Sequence, residues 1–264
     1  MVTGKDVINV IESFAPLSLA GEYDNCGLKI GNVDRAVTGV LVTVDTDLSV
    51  VREAKRKGCN FILEHHPSIF RPLRAIDEKV PLNATLLEAA KNEMVVYSAH
   101  TNVDFTTGGL NDTVAKEMGL TDISYVEDPS SARIGVLPKP CSLRKYARYL
   151  ATLFDDDNVS VVGDLEKLVQ KVGVINGGGG GSEDGGWETF RNGCDVFVTG
   201  DVKHNVARLA KDLDYAIIQV GHFSSERAFM PLMKEVIQNT IADMPVFCAE
   251  SIGSPYNRRG EIWI

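Results

Sequence analysis

The sequence has no Cys-x-x-Cys pair, and its five cysteines (Cys26, Cys59, Cys141, Cys194 and Cys248) are scattered and odd in number. That excludes a disulfide framework and predicts reduced thiols, mostly buried as small hydrophobes. No apolar run reaches the roughly 20 residues that a bilayer span needs. Met1 to Asp6 has neither the basic segment nor the apolar core of a signal peptide, so a cytoplasmic protein is expected. Basic residues are in deficit: 27 Lys and Arg against 36 Asp and Glu leave a net charge of −9. Nonspecific nucleic-acid binding needs a basic surface, and so does an anionic membrane, so neither partner is expected. A phosphorylated small molecule stays compatible with an acidic chain when a metal ion supplies local positive charge. Histidine is also scarce, at five residues.

What is present is an ordinary globular composition, 44% hydrophobic and 24% charged over 264 residues, enough for one large domain or two modest ones. Val7, Ile8, Val10, Ile11 and Phe14 fall at helical spacing. They predict a helix over 2–14, with Thr3 as N-cap and Asp6 three residues on. Tyr23 to Gly31 reads as a turn leading into a short strand. Val40 to Asp45 is a β-branched run suited to a central strand. A helix capped by Thr46 or Asp47 follows and ends at Gly58, and Asn60 to Leu63 is the next strand. Strand, helix, strand at this spacing is a βαβ unit. Helices over 82–91 and 110–118 enclose a strand over 94–98. Polar, aperiodic residues between Thr121 and Ser131 mark a change of unit. The second half gives strands at 134–137, 159–162 and 171–175, a helix at 143–153, the glycine run Gly177 to Gly181 and a helix over 187–191. The expectation is an α/β protein of two α/β repeats, residues 1–125 and 126–264, with the C-terminal segment able to pack back on the first.

The histidines carry the functional reading. His65 and His66 follow a short apolar strand and precede Pro67, so both rings emerge at a strand end, where open α/β sheets place ligands. The halves repeat this. Lys57-Gly58-Cys59-Asn60-Phe61-Ile62-Leu63 is matched by Asn192-Gly193-Cys194-Asp195-Val196-Phe197-Val198. The first run leads to Glu64-His65-His66, the second to Thr199-Gly200-Asp201-Val202-Lys203-His204. One strand later His100 and Asp104 stand four residues apart, as do His222 and Glu226. A lone strand-end histidine is most often a hydrogen-bonded structural residue. Five in a duplicated pattern point to metal, at a site between the halves. Neighbours on a regular strand face opposite ways. His65 and His66 therefore serve one centre only if the chain turns, as Pro67 favours, or else each serves its own ion. A two-ion site, with ions roughly 3.5–4 Å apart bridged by Asp104 or Glu226, suits that arrangement. Imidazole with carboxylate suits Zn, Fe, Mn or Co.

Four segments resemble the signatures of the YbgI-like family, also called the NGG-interacting-factor-three-like proteins. They are Glu64-His65-His66-Pro67-Ser68-Ile69-Phe70, His100-Thr101-Asn102-Val103-Asp104, Thr199-Gly200-Asp201-Val202-Lys203-His204 and Gly221-His222-Phe223-Ser224-Ser225-Glu226. Tyr23 to Gly31 is similar to the family's W-D-N-x-G-L-x-x-G segment, with Tyr23 in place of Trp. The match runs end to end, in the short form without an inserted domain. The resemblance implies two intertwined α/β repeats with mixed sheets flanked by helices, and a toroidal homohexamer. It implies two divalent transition ions per chain, held by His65, His66, Asp104, His222 and Glu226, with Asp104 and Glu226 as bridges. His100 and His204 are then expected beside the ligands, supporting them or touching substrate.

Family members carry the label GTP cyclohydrolase type-2 homologue. That implies a metal-dependent hydrolase acting on a nucleotide-like small molecule and opening its guanine imidazole ring at C8. Phosphoester hydrolysis is the rival within hydrolases. A metal-binding hexameric scaffold or adaptor without turnover is the alternative from another class. The glycine run lacks the Gly-Lys-Ser/Thr ending of a Walker loop, and Glu183 and Asp184 oppose phosphate. It reads first as a loop or rim that lets the backbone approach the cleft, and second as a phosphate contact.

Overall fold

Short β-branched runs alternating with capped amphipathic segments fold this chain into a mixed α/β structure, with two mixed sheets flanked by helices. The computed structural model describes residues 1–126, 132–180 and 183–257. Its strands begin with β1 (Gly27–Ile30), β2 (Val40–Thr43), β3 (Phe61–Glu64), β4 (Val95–Ser98) and β5 (Thr121–Tyr125). They continue with β6 (Arg133–Ser142), β7 (Ser160–Val162), β8 (Leu168–Ile175), β9 (Val196–Thr199), β10 (Ala216–Gln219) and β11 (Val246–Cys248). The chain divides into two compact units. The first comprises Met1–Gly109 and Phe229–Gly253; the second comprises Leu110–Ala228 and the described residues after Gly253.

The first unit holds a sheet of order β1-β4-β3-β2-β11. β1 runs antiparallel to β4, and the other neighbours are parallel. β2, β3 and β4 are buried at every position, as parallel strands covered on both faces must be. Thr43, Glu64 and Ser98 are in register, so the three strand ends release Val44, His65 and Ala99 side by side. Helix Gly4–Phe14 starts with the expected capping box: Thr3 Oγ1 accepts from the Asp6 N–H, and the Asp6 carboxylate accepts from the Thr3 N–H at 2.8 Å. Asp47 caps helix Leu48–Arg56 by accepting from the Ser49 and Val50 N–H groups. Leu41, Val50, Val51, Ala54, Ile62 and Val96 form the core, joined by Ala249 from the returning C-terminal segment. Glu53 fastens that return by accepting from the N–H groups of Glu250 and Ser251 while pairing with Lys57 at 2.9 Å.

The second unit holds a sheet of order β5-β6-β8-β9-β10-β7. β8, β9 and β10 are parallel, and β5, β6 and β7 pair antiparallel. Ile175, Thr199 and Gln219 are in register, so these strand ends release Asn176, Gly200 and Val220. Ile175, Phe197, Val206, Tyr215 and Ile217 pack as its core.

Several details differ from expectation. The strand expected at 134–137 runs on to Ser142, with pairing to β8 interrupted between Val136 and Cys141, where Pro138 and Pro140 have no N–H to donate. Thr121–Tyr125, expected within a polar junction, is a largely exposed edge strand paired with β6. The compact units consequently exchange at Gly109/Leu110, whereas the repeats read from the sequence meet at 125/126. The rest of that junction, residues 127–131, lies outside the described residues, as do Gly181 and Ser182 of the glycine run. Among the described residues no helix is long and apolar enough to cross a membrane. Cys59 and Cys194 are buried, and burial pushes the thiols of Cys26, Cys59 and Cys194 up to about 11, which keeps them neutral.

Candidate metal centre

In the first unit the chain turns where β3 ends. The His65 N–H donates to Thr43 O at 3.0 Å and the His66 N–H to Val44 O at 2.9 Å. Two rings that a regular strand would hold on opposite faces therefore lie beside each other, with centroids 5.1 Å apart. Of the two sequence-based alternatives, the turn is the one observed. His100 arrives from the end of β4, its ring 5.0 Å from His65 and 5.5 Å from His66. One ring nitrogen from each of the three lies within 4.8 Å of the others. Asp104, one turn on in helix Thr101–Phe105, places Oδ1 3.9 Å from His65 Nε2.

Every one of these rings is held by its other nitrogen. His65 Nδ1 donates to the Ala99 carbonyl at 3.0 Å, His66 Nδ1 to Asp45 Oδ1 at 2.8 Å and His100 Nδ1 to Asp24 at 2.9 Å. Carbonyls and ionised carboxylates only accept, so each bond fixes the proton on Nδ1 and leaves the lone pair on Nε2. Burial opposes the charge of Asp24, but hydrogen bonds from His100, Thr101 and Cys26 outweigh it and hold the carboxyl well below the usual range.

The second unit repeats the bond from Nδ1 to an oxygen. His222 Nδ1 donates to Asp201 Oδ2 at 2.7 Å, and its Nε2 lies 3.1 Å from Glu226 Oε2 across one turn of helix His222–Glu226. Gly177, just past the end of β8, backs this pair. Its φ is +58°, and a Cβ there would collide with Glu226 Oε1 and come 3.1 Å from His222 Nε2. Only glycine meets both demands. Its N–H donates to Ser225 Oγ at 2.9 Å and its carbonyl accepts from the Asp201 N–H at 2.8 Å. The glycine run thus gives the backbone a close approach to the histidine and carboxylate.

Imidazole Nε2 groups with carboxylates, each ring oriented by an oxygen behind it, are a donor set that fits divalent transition ions. Cys26 is no competing soft donor: its neutral thiol donates to Asp24 at 3.1 Å. His204 is not brought to the His222 pair. It stands exposed at the start of helix His204–Asp212, in an open groove with Asp164, Arg208 and Asp214. The orienting carboxylates Asp24, Asp45 and Asp201 were not singled out by sequence. Asp24 read as a turn former and Asp45 as a strand end. They lie 76, 21 and 21 residues from their histidines, so no local spacing links them.

The profile of the Duf34/NIF3 (NGG1p interacting factor 3) family matches residues 2–255. A Clostridium perfringens protein named GTP cyclohydrolase 1 type 2 homolog is 30% identical over 258 residues, 95% of this chain and 97% of that one. A protein of the same name from Lactococcus lactis subsp. lactis is 32% identical over 249 residues, 93% of this chain and 95% of that one. The crystal structure of a Bacillus cereus protein related to NIF3 superposes with a TM-score of 0.91, covering 97% of this chain and 98% of that one. At 23% identity that likeness establishes the fold alone.

Proposed function

Because the chain belongs to the Duf34/NIF3 family, we propose that it is a dinuclear-metal-dependent hydrolase acting on a nucleotide-like small molecule, with GTP cyclohydrolase-type ring opening as the leading reaction. The observation that supports this most is the bond from Nδ1 to an oxygen shared by His65, His66, His100 and His222, which turns Nε2 of each ring toward the candidate ligands. The proposed ligands of two divalent transition ions per chain are His65, His66 and Asp104 in the first unit and His222 and Glu226 in the second. When bound, such ions supply Lewis acidity to a water and to the substrate's electrophilic atom.

The chain's own residues supply the rest. Asp45 and Asp201 keep the rings of His66 and His222 from rotating, and the Ala99 carbonyl does the same for His65. Asp24 fixes His100 with Nε2 as a proton acceptor beside His65 and His66, so His100 is the group placed to take a proton from a hydrolytic water. A ring-shaped homohexamer belongs to the same proposal, and sedimentation analysis tests it.

The test of the activity is to assay metal-loaded protein against GTP and a panel of nucleotides and phosphoesters, beside Asp104→Ala and His222→Ala. Turnover by the parent and a loss of at least about 100-fold in both variants is expected. Turnover that persists in both overturns the site. Fully metallated protein that turns over nothing on the panel leaves the scaffold reading instead.

A further inference from the structure

Two large aromatic side chains stand exposed on the segments around His100, one in ring contact with it and one beside its carboxylate partner. Tyr23 is 72% exposed and Phe70 43%. Single exposed rings need no explanation, but these two are built into the site's supports. Tyr23 directly precedes Asp24, whose carboxylate accepts from His100 Nδ1, the Thr101 N–H and the Thr101 hydroxyl. The Tyr23 ring leans over Gly21, where a Cβ would lie 2.9 Å from it.

Phe70 meets His100 edge-on, with centroids 6.5 Å apart and planes at 83°. Its segment is pinned at two points. Asn25 Nδ2 donates to Ile69 O, and the Ser68 N–H and hydroxyl donate to Glu64 at 2.8 and 3.0 Å. Both rings sit on segments tied to the supports of His100, Tyr23 next to Asp24 and Phe70 next to the Asn25-bound Ile69, while each leaves much of its surface to solvent. Arg71 and Arg74 follow Phe70 on the exposed loop of a chain whose net charge is −9. Exposed rings of this kind stack on a flat π-system, and arginine complements a phosphate attached to it. A phosphoester without a ring gains nothing from either aromatic.

We infer that Tyr23 and Phe70 are the specificity-determining residues of the first unit's site, and that they select a ligand carrying a flat aromatic ring of the nucleobase class. This rests on the hydrolase reading for the identity of the site and separates base-bearing substrates from simple phosphoesters. Calorimetric titration with GMP and with ribose 5-phosphate tests it, on the parent protein, Tyr23→Ala, Tyr23→Phe and Phe70→Ala. Elemental analysis of each sample is made first.

The parent is expected to bind GMP at least about tenfold more tightly than ribose 5-phosphate. Either alanine variant should weaken GMP by roughly 5- to 50-fold, leave ribose 5-phosphate and metal content unchanged, and be rescued by Tyr23→Phe at its position. Equal affinity of the parent for the two ligands overturns the inference. So does undiminished GMP binding by both alanine variants, or no binding of either ligand by metallated protein. A metal-free parent that still prefers GMP through these rings sinks the metal reading and keeps the inference.

Discussion

The two units bring a histidine and a carboxylate to a strand end with the same frame and different furniture. In each, three parallel strands in matching order release their ends side by side, and the third leads into a five-residue helix, Thr101–Phe105 or His222–Glu226. In each, a carboxylate follows a histidine by four residues. The means then diverge. His100 precedes its helix as N-cap, whereas Gly221, at φ +85°, takes that place in the second unit and makes His222 the first helical residue. Two residues past the register position on the first parallel strand, the first unit has Asp45 holding His66, and the second has Gly177 backing Glu226. The Asp24 side chain is fully buried, and that of Asp201 is 53% exposed. The first unit's cluster is rich in histidine and has one fully buried side-chain support, Asp24. The second is sparse and leans on glycine backbone.

Substitutions should expose that asymmetry. Replacing His65 and His66 together with Ala should lower metal affinity by about 1,000-fold or more, because it removes two of three clustered imidazoles. His222→Ala should cost about 10- to 100-fold, on the scale of single contributions at metal sites. Chelator competition measures both, and equal losses would erase the distinction between the halves. Gly177→Ala should destabilise by about 3 kcal/mol, combining a left-handed φ with a collision against Glu226. Gly58→Ala, also at positive φ but with open space around it, should cost only about 1 kcal/mol in urea unfolding.

Next in size, Asp24→Asn should cost about 2 kcal/mol, since a buried hydrogen-bond hub loses its charge. Asp201→Asn should stay within about 0.5 kcal/mol while still loosening metal binding about tenfold. The last effect, in the returning segment, depends on pH. Hydrogen bonds from Ser251, Lys57 and Glu250 overcome burial and hold the Glu53 carboxyl at about 2 against an ordinary 4.5. A depressed folded value gives stability that is present above pH 4.5 and lost as pH falls toward 2. Glu53→Gln should therefore cost about 1–2 kcal/mol at pH 7 and converge on the parent near pH 2, in urea unfolding of metal-free protein.

Much of this frame was legible in the sequence because it is local. Thr3 with Asp6 and Asp47 before an apolar period are caps that need no tertiary context, and β2, β3 and β9 are continuous apolar runs. β5 was not legible: four of its five residues, Thr121, Asp122, Ser124 and Tyr125, are exposed, so no burial pattern marks it. The site divides the same way. The spacings His65-His66, His100 to Asp104 and His222 to Glu226 are short, and the structure pairs His222 with Glu226 and gathers His65 and His66 with His100. Asp24, Asp45 and Asp201 act across turns and neighbouring strands, where sequence distance says nothing about proximity.

Glu53 and the strand it fastens also bear on how the protein is made. During synthesis the residues from Leu110 to Ala228 leave the ribosome as one stretch and have nearly all of their unit available. The earlier stretch does not. Until β11 emerges, β2 is an unpaired sheet edge made of Val40, Leu41, Val42 and Thr43, and Ala249 is missing from the core beneath it. The half that carries most of the histidines is thus translated first and completed last. For that interval its open edge is a surface that chaperones, or other nascent chains, can find before its own last strand does.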